Sequence, residues 1–197
     1  MAQTLELLTR RTATMGSIRG IVRTMKTMSA INALPYEQAA ESIERYRDTV
    51  LQGLHAFVHR NGPLPADSKS PADSVIIVFG SDHGLCGNYN EIVADVAAGA
   101  YTPFSRIICV GAQMEDALRA LKIEPEKTLL PPATADGLGR LSGSLITELD
   151  RVHLANSHTD IAVSLVFMQR AEYGRQTPVT QPLLPFAPDL VEAFSTR

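Results

Sequence analysis

Apolar positions along the first sixty residues recur at steps of three and four. They fall at Ile18, Ile21/Val22, Met25, Met28 and Ile31 and resume at Tyr36, Ala39/Ala40, Ile43, Tyr46, Val50, Leu54 and Phe57. That interval belongs to an amphipathic helix of coiled-coil type. Glycine occurs only at Gly16, Gly20 and Gly53 in this stretch. The spacing therefore predicts a long helix over residues 1–60, whose Leu5–Val58 stretch would be about 80 Å if straight. Pro35 lies inside it, lacks a donor and clashes with the preceding turn. A kink or break is expected near Ala33–Tyr36.

The pattern then changes. Residues 61–73, NGPLPADSKSPAD, read as a linker. Short β-branched runs follow at 74–79, 106–110 and 161–168, with a weaker one at 127–130. Helical patterns separate them at 91–100, 113–121 and 139–155. Strands alternating with helices predict an α/β domain over 74–170, a mostly parallel sheet with helices on both faces in a Rossmann-like, three-layer arrangement. Residues 171–197 carry four prolines, Pro178, Pro182, Pro185 and Pro188, and read as an extended tail.

Composition adds exclusions. The 197 residues are 45% hydrophobic and 20% charged, ordinary for a globular protein. The net charge of -3 argues against general nucleic-acid binding. Within it, residues 1–34 hold Arg10, Arg11, Arg19, Arg23 and Lys26 against Glu6 alone. No apolar run reaches the roughly 20 residues of a membrane span. The N-terminus has no basic start with an apolar core, so it does not read as a secretory signal. Cys86 and Cys109 are too few for a disulfide framework and point to a reducing, cytoplasmic setting. His55 and His59 stand at i and i+4 without an evident third metal ligand, and read as ordinary surface groups.

The richest segment is Gly80-Ser81-Asp82-His83-Gly84-Leu85-Cys86-Gly87-Asn88-Tyr89-Asn90, where the first strand hands over to a helix. Three chemistries compete for it. Glycines at such a turn can cradle a phosphate, but the spacing is not G-x-G-x-x-G, and Asp82 puts negative charge where the phosphate would lie. Asp82, His83 and Cys86 can be written as orienter, base and nucleophile, although active constellations usually assemble from distant segments. The structural alternative gives the glycines positive φ and makes Ser81 or Asp82 the cap of the following helix.

Ser81, Asp82, Gly84, Leu85, Cys86, Gly87, Tyr89 and Asn90 resemble the S-D-[RQ]-G-L-C-G-x-[FY]-N signature of the gamma subunits of rotary F-type ATP synthases. His83 departs from the usual Arg or Gln. Residues 18–28, IRGIVRTMKTM, resemble the family's first helix, especially the form found in sodium-type or alternate ATPase operons. Residues 178–185, PVTQPLLP, are similar to its exit from the α/β domain.

The resemblance implies a non-catalytic rotor: a central stalk coupling rotation to ATP synthesis or hydrolysis in a proton- or sodium-translocating complex. The partners it implies are the catalytic and non-catalytic subunits of the hexamer, an epsilon subunit and the membrane c-ring, with no cofactor, no nucleic acid and no direct membrane insertion. Location would be peripheral, on the cytoplasmic face of a bacterial membrane. The interface residues it implies are Arg19, Arg23, Met25, Lys26 and Met28 on the helix. At the corner they are Ser81, Asp82, Gly84, Leu85, Cys86, Gly87 and Asn90. The family's long C-terminal helix has no counterpart before Arg197. The helix stripe is therefore expected to fold back on its own domain, to pair with a second copy or to be disordered at its tip. The other function classes kept open are a stand-alone nucleotide- or phosphate-binding protein using Gly80–Gly87, and a helical adaptor dimerising through residues 15–58.

Overall fold

The structure, a computed structural model, describes residues 2–62, 73–155, 161–170 and 175–185. Most of the expected linker and the end of the expected tail lie outside them. The chain divides into two compact units, Met1–Gly53 and Leu54–Arg197.

The first unit is helical. Helix α1 spans Ala2–Asn61 with Pro35 inside it, so of the expected kink or break the helix does not show the break. Proline removes one helical donor, and the turns on either side keep theirs. Polar side chains also turn inward on the backbone. The hydroxyls of Thr9, Thr12, Thr24 and Thr27 donate to the carbonyls four residues earlier, at 2.9–3.1 Å. Ile18, Ile21, Met25 and Met28 are all exposed.

The division of units also differs from the expected boundary at residue 60. The last turns of α1, from Leu54, belong to the second unit, where Val58 is buried.

The second unit is an α/β sandwich. Its elements are β1 (Asp73–Phe79), α2 (Tyr89–Ala100), β2 (Ser105–Val110), α3 (Ala112–Ala120) and β3 (Lys127–Leu129). A 3-10 turn (Ala135–Gly137), α4 (Leu138–Ala155), β4 (Ile161–Arg170) and β5 (Gln176–Leu184) complete it. The sheet order is β3-β2-β1-β4-β5. The first four strands are parallel and β5 is antiparallel to β4.

Alternation along β1 builds both layers, because successive side chains leave a strand on opposite faces. Ile76 and Val78 pack with Val93, Ala97, Met114 and Leu118 of α2 and α3. Val75 and Ile77 pack with Leu145 and Val152 of α4. The expected three-layer class is therefore observed.

β5 corrects the extended tail expected from residue 171. Its prolines conceal a strand: Pro178 pairs with Met168 and Pro182 with Ser164. Two residues four apart share one side of a strand, and β5 is at the sheet's edge. A proline is tolerated there with its nitrogen toward the open side, where no ladder donor is needed.

Candidate functional site

The corner after β1 is built by contact between two strand exits. Gly80 donates its N–H to the Val110 carbonyl at 2.8 Å, which ties the end of β1 to the end of β2. A Cβ at Gly80 would collide with Met114 and with Asn90 Oδ1. Across from it, Gly111 has φ +108, and a Cβ there would lie 2.5 Å from the Ser81 carbonyl oxygen. Gly80 is required because the Met114 and Asn90 side chains close on it, and Gly111 because the Ser81 backbone does.

Asn90, on the first turn of α2 and buried, locks the corner. Its Oδ1 accepts the Ser81 N–H at 2.9 Å. Its Nδ2 donates to Ser81 Oγ at 2.8 Å and to Cys86 Sγ at 3.4 Å. Ser81 Oγ in turn donates to the His83 carbonyl at 2.9 Å. Leu85 and Gly87 both take φ +65, and Leu85 is 92% exposed, at the crest of the loop.

Ser81 and Asp82 do act as caps, but of a different helix from the one expected. Asn88 precedes α2 and makes no side-chain cap. Asp82 Oδ1 instead accepts the Ala112 N–H of α3 at 3.3 Å, and the Ser81 carbonyl accepts the Gln113 N–H at 3.1 Å. The free donors that open α3 are thus filled from thirty residues upstream, and the carboxylate meets the positive end of the helix dipole. Local spacing points to the nearer helix, and nothing in the sequence signals the longer reach.

Neither ligand chemistry is favoured by this geometry. The Ala112 and Gln113 donors that open α3 are taken by the chain's own oxygens. The adjoining cleft, about 600 Å³, carries Glu91, Asp95 and Asp116 on its walls, and these carboxylates repel an anion. The putting-together of Asp82, His83 and Cys86 as a triad also fails. Asp82 bonds to backbone, His83 is exposed, and Cys86 faces Ser81 and Asn90. Cys109, in contrast, is buried against α3, and desolvation with the nearby Glu115 charge pushes its thiol up to about 12. Burial likewise raises the Tyr89 phenol above its ordinary value. Among the described residues no three His, Cys, Asp or Glu side chains are grouped to hold a metal. No helix among them is long and apolar enough to cross a membrane.

The expected interface residues fall in two places. Ser81, Asp82, Gly84, Leu85, Cys86, Gly87 and Asn90 come together at the corner. Arg19, Arg23, Met25, Lys26 and Met28 are exposed on α1, in the other unit.

The model of the ATP synthase family matches residues 4–196. The chain belongs to the ATP synthase gamma-chain family. It is 25% identical over 198 residues to the ATP synthase gamma chain of Nitratidesulfovibrio vulgaris (strain DSM 19637 / Miyazaki F), a match covering 89% of this chain. The chain spans 64% of that relative's length. Its fold is similar to a chain in the central stalk and c-ring of the Tetrahymena thermophila mitochondrial ATP synthase. There the TM-score is 0.52 at 18% identity, covering 81% of this chain and 71% of that one. A chain in the rotor of the Euglena gracilis mitochondrial enzyme gives a TM-score of 0.50 at 15% identity, covering 89% and 65%. In this gamma-family fold the corner after β1 holds together α2, α3 and two strand ends.

Proposed function

We propose that this gamma-family chain is a central-stalk component of a rotary ATP synthase, coupling rotation to ATP synthesis or hydrolysis without performing the chemistry itself. One observation carries the reading: the family match runs through both the long helix and the α/β unit. The corner's polar atoms are spent on one another, which supports a role in shape and docking. α1 would reach into the catalytic hexamer, with Arg19, Arg23 and Lys26 meeting acidic loops of the sleeve through weak, screened contacts. Such contacts break and reform as the stalk turns. Met25 and Met28 would pack at the same level. The α/β unit would meet the epsilon subunit and the c-ring, with Leu85 and the residues around it as the docking crest. The complex would sit on the cytoplasmic face of a bacterial membrane.

The test is capture of this chain by a catalytic hexamer depleted of its own gamma chain. Stoichiometric, salt-sensitive binding is expected, and Arg23→Glu with Lys26→Glu should weaken it by about tenfold. No association at low salt would overturn the reading.

A further inference from the structure

The cleft beside the corner carries an unbalanced charge. It is lined by α2 and α3, with Glu91 and Asp95 contributed by the first and Asp116 by the second. Glu91 and Asp95 stand at i and i+4 and so share one side of their helix. None of the three carboxylates has an ion-pair partner among the described residues. Other carboxylates of the same unit do: Glu115 and Glu124 pair with Arg119, and Glu126 and Glu148 with Arg151. Among the described residues no lysine, arginine or histidine lines the cleft. α2 has no basic residue, and the one on α3, Arg119, is held by its two glutamates. His83 and Lys122 adjoin the cleft in the chain and are not part of its lining.

Between the charges the lining is small and apolar. Ala94, Ala117 and Ala120 offer only methyl groups. Leu85 precedes α2 and Leu121 follows α3, so an exposed leucine stands at each end of the lining. We infer that this groove takes a basic amphipathic helix of a partner protein. Its lysines or arginines would lie against Glu91, Asp95 and Asp116, and its apolar face on the alanines.

Charge selects the partner's sign. An acidic or phosphorylated segment would bring like charges together at close range, whereas a basic one neutralises three carboxylates that this chain leaves unpaired. Backbone chemistry selects the partner's shape. The walls are helices, whose N–H and C=O groups are satisfied internally, so an extended strand would find no ladder to join. A helix presents side chains alone, and the methyl floor lets its axis come close, since interaxial distance follows side-chain size. The nine residues of α3 give about 13 Å of wall, enough for two to three turns of the partner. The inference rests on α2 and α3 and is independent of the rotor reading.

The probe is a helical peptide whose lysines flank a strip of alanine and leucine, titrated into the full chain and followed by amide NMR shifts. Saturable one-to-one binding is expected, with the shifts concentrated on α2, α3 and residues 84–87. The same peptide with glutamate for each lysine should not bind. Glu91→Gln with Asp95→Asn and Asp116→Asn should weaken binding by more than about tenfold. Asp150→Asn, on α4, should leave it unchanged. All four side chains are exposed, and an unchanged urea midpoint confirms folding. Asp95→Lys alone, midway along α2, should weaken binding several-fold and keeps the test open if the triple variant unfolds. No saturation at low salt, equal affinity for the neutralised variants, or shifts centred elsewhere on the chain would overturn the inference. So would displacement of the peptide by spermine at equal concentration of charge, which would show attraction for any polycation.

Discussion

Asn90 holds the first corner with one side-chain amide, and its removal has a direct cost. Asn90→Ala leaves the Ser81 N–H without its acceptor and takes a donor from Ser81 Oγ. It should lower stability by about 1–3 kcal/mol, read from the urea midpoint. The glycines divide sharply. Gly111→Ala meets the Ser81 carbonyl at 2.5 Å from a left-handed φ, and should cost about 2–4 kcal/mol. Gly84→Ala meets nothing within 4 Å and should leave the urea midpoint nearly unchanged. The two cysteines should likewise separate under a thiol reagent: half-exposed Cys86 reacts in the native protein, and buried Cys109 only on unfolding. Cys109 also sets a pH dependence. Its thiol, ordinarily near 9, is raised to about 12 in the folded chain, so the unfolded chain loses that proton first. Its contribution to stability is complete below about pH 9 and declines from there toward about pH 12, which unfolding at a series of alkaline pH values measures. The corner was legible in the sequence as a glycine-rich exit from a strand. Which helix Asp82 serves was not, because its partner Ala112 becomes a neighbour only when β1 and β2 pair.

Elements with strong periodicity were the legible ones. β1, β2 and β4 read from β-branched runs, and their helices from spacing, since burial on both faces of a parallel sheet writes itself into the chain. β5 did not. Pro178 and Pro182 resemble an irregular tail until the edge position is known, and edge position is a property of the assembled sheet. The side of the strand they occupy carries a prediction. Thr180→Pro, in phase with both, should be tolerated. Val179→Pro, out of phase, should remove a hydrogen bond to β4 and cost about 1–3 kcal/mol in a thermal or urea melt. Pro35 left a kink or a break open, and the helix does not break there. An interior proline costs a helix about 3 kcal/mol, which a long helix bears without ending. Pro35→Ala should accordingly raise the helicity and melting temperature of α1 by circular dichroism.

For the molecule as a whole, the two units have different sources of order. Leu54–Arg197 contains both apolar clusters and should fold by itself, with a cooperative unfolding transition close to that of the complete chain. Residues 2–53 have no such interior, and trypsin should cut at Arg19 and Arg23 well before it opens the sheet. The family likeness spans both units, yet composition and net charge alone gave no hint of a stalk; that came from a ten-residue signature and the order of three segments.

The corner is fastened at Asn90 behind it and at Ala112 beside it, with Leu85 standing clear. Load applied to that crest is delivered to two helices and two strands together. A neighbour pressing there would turn the whole α/β unit as one piece.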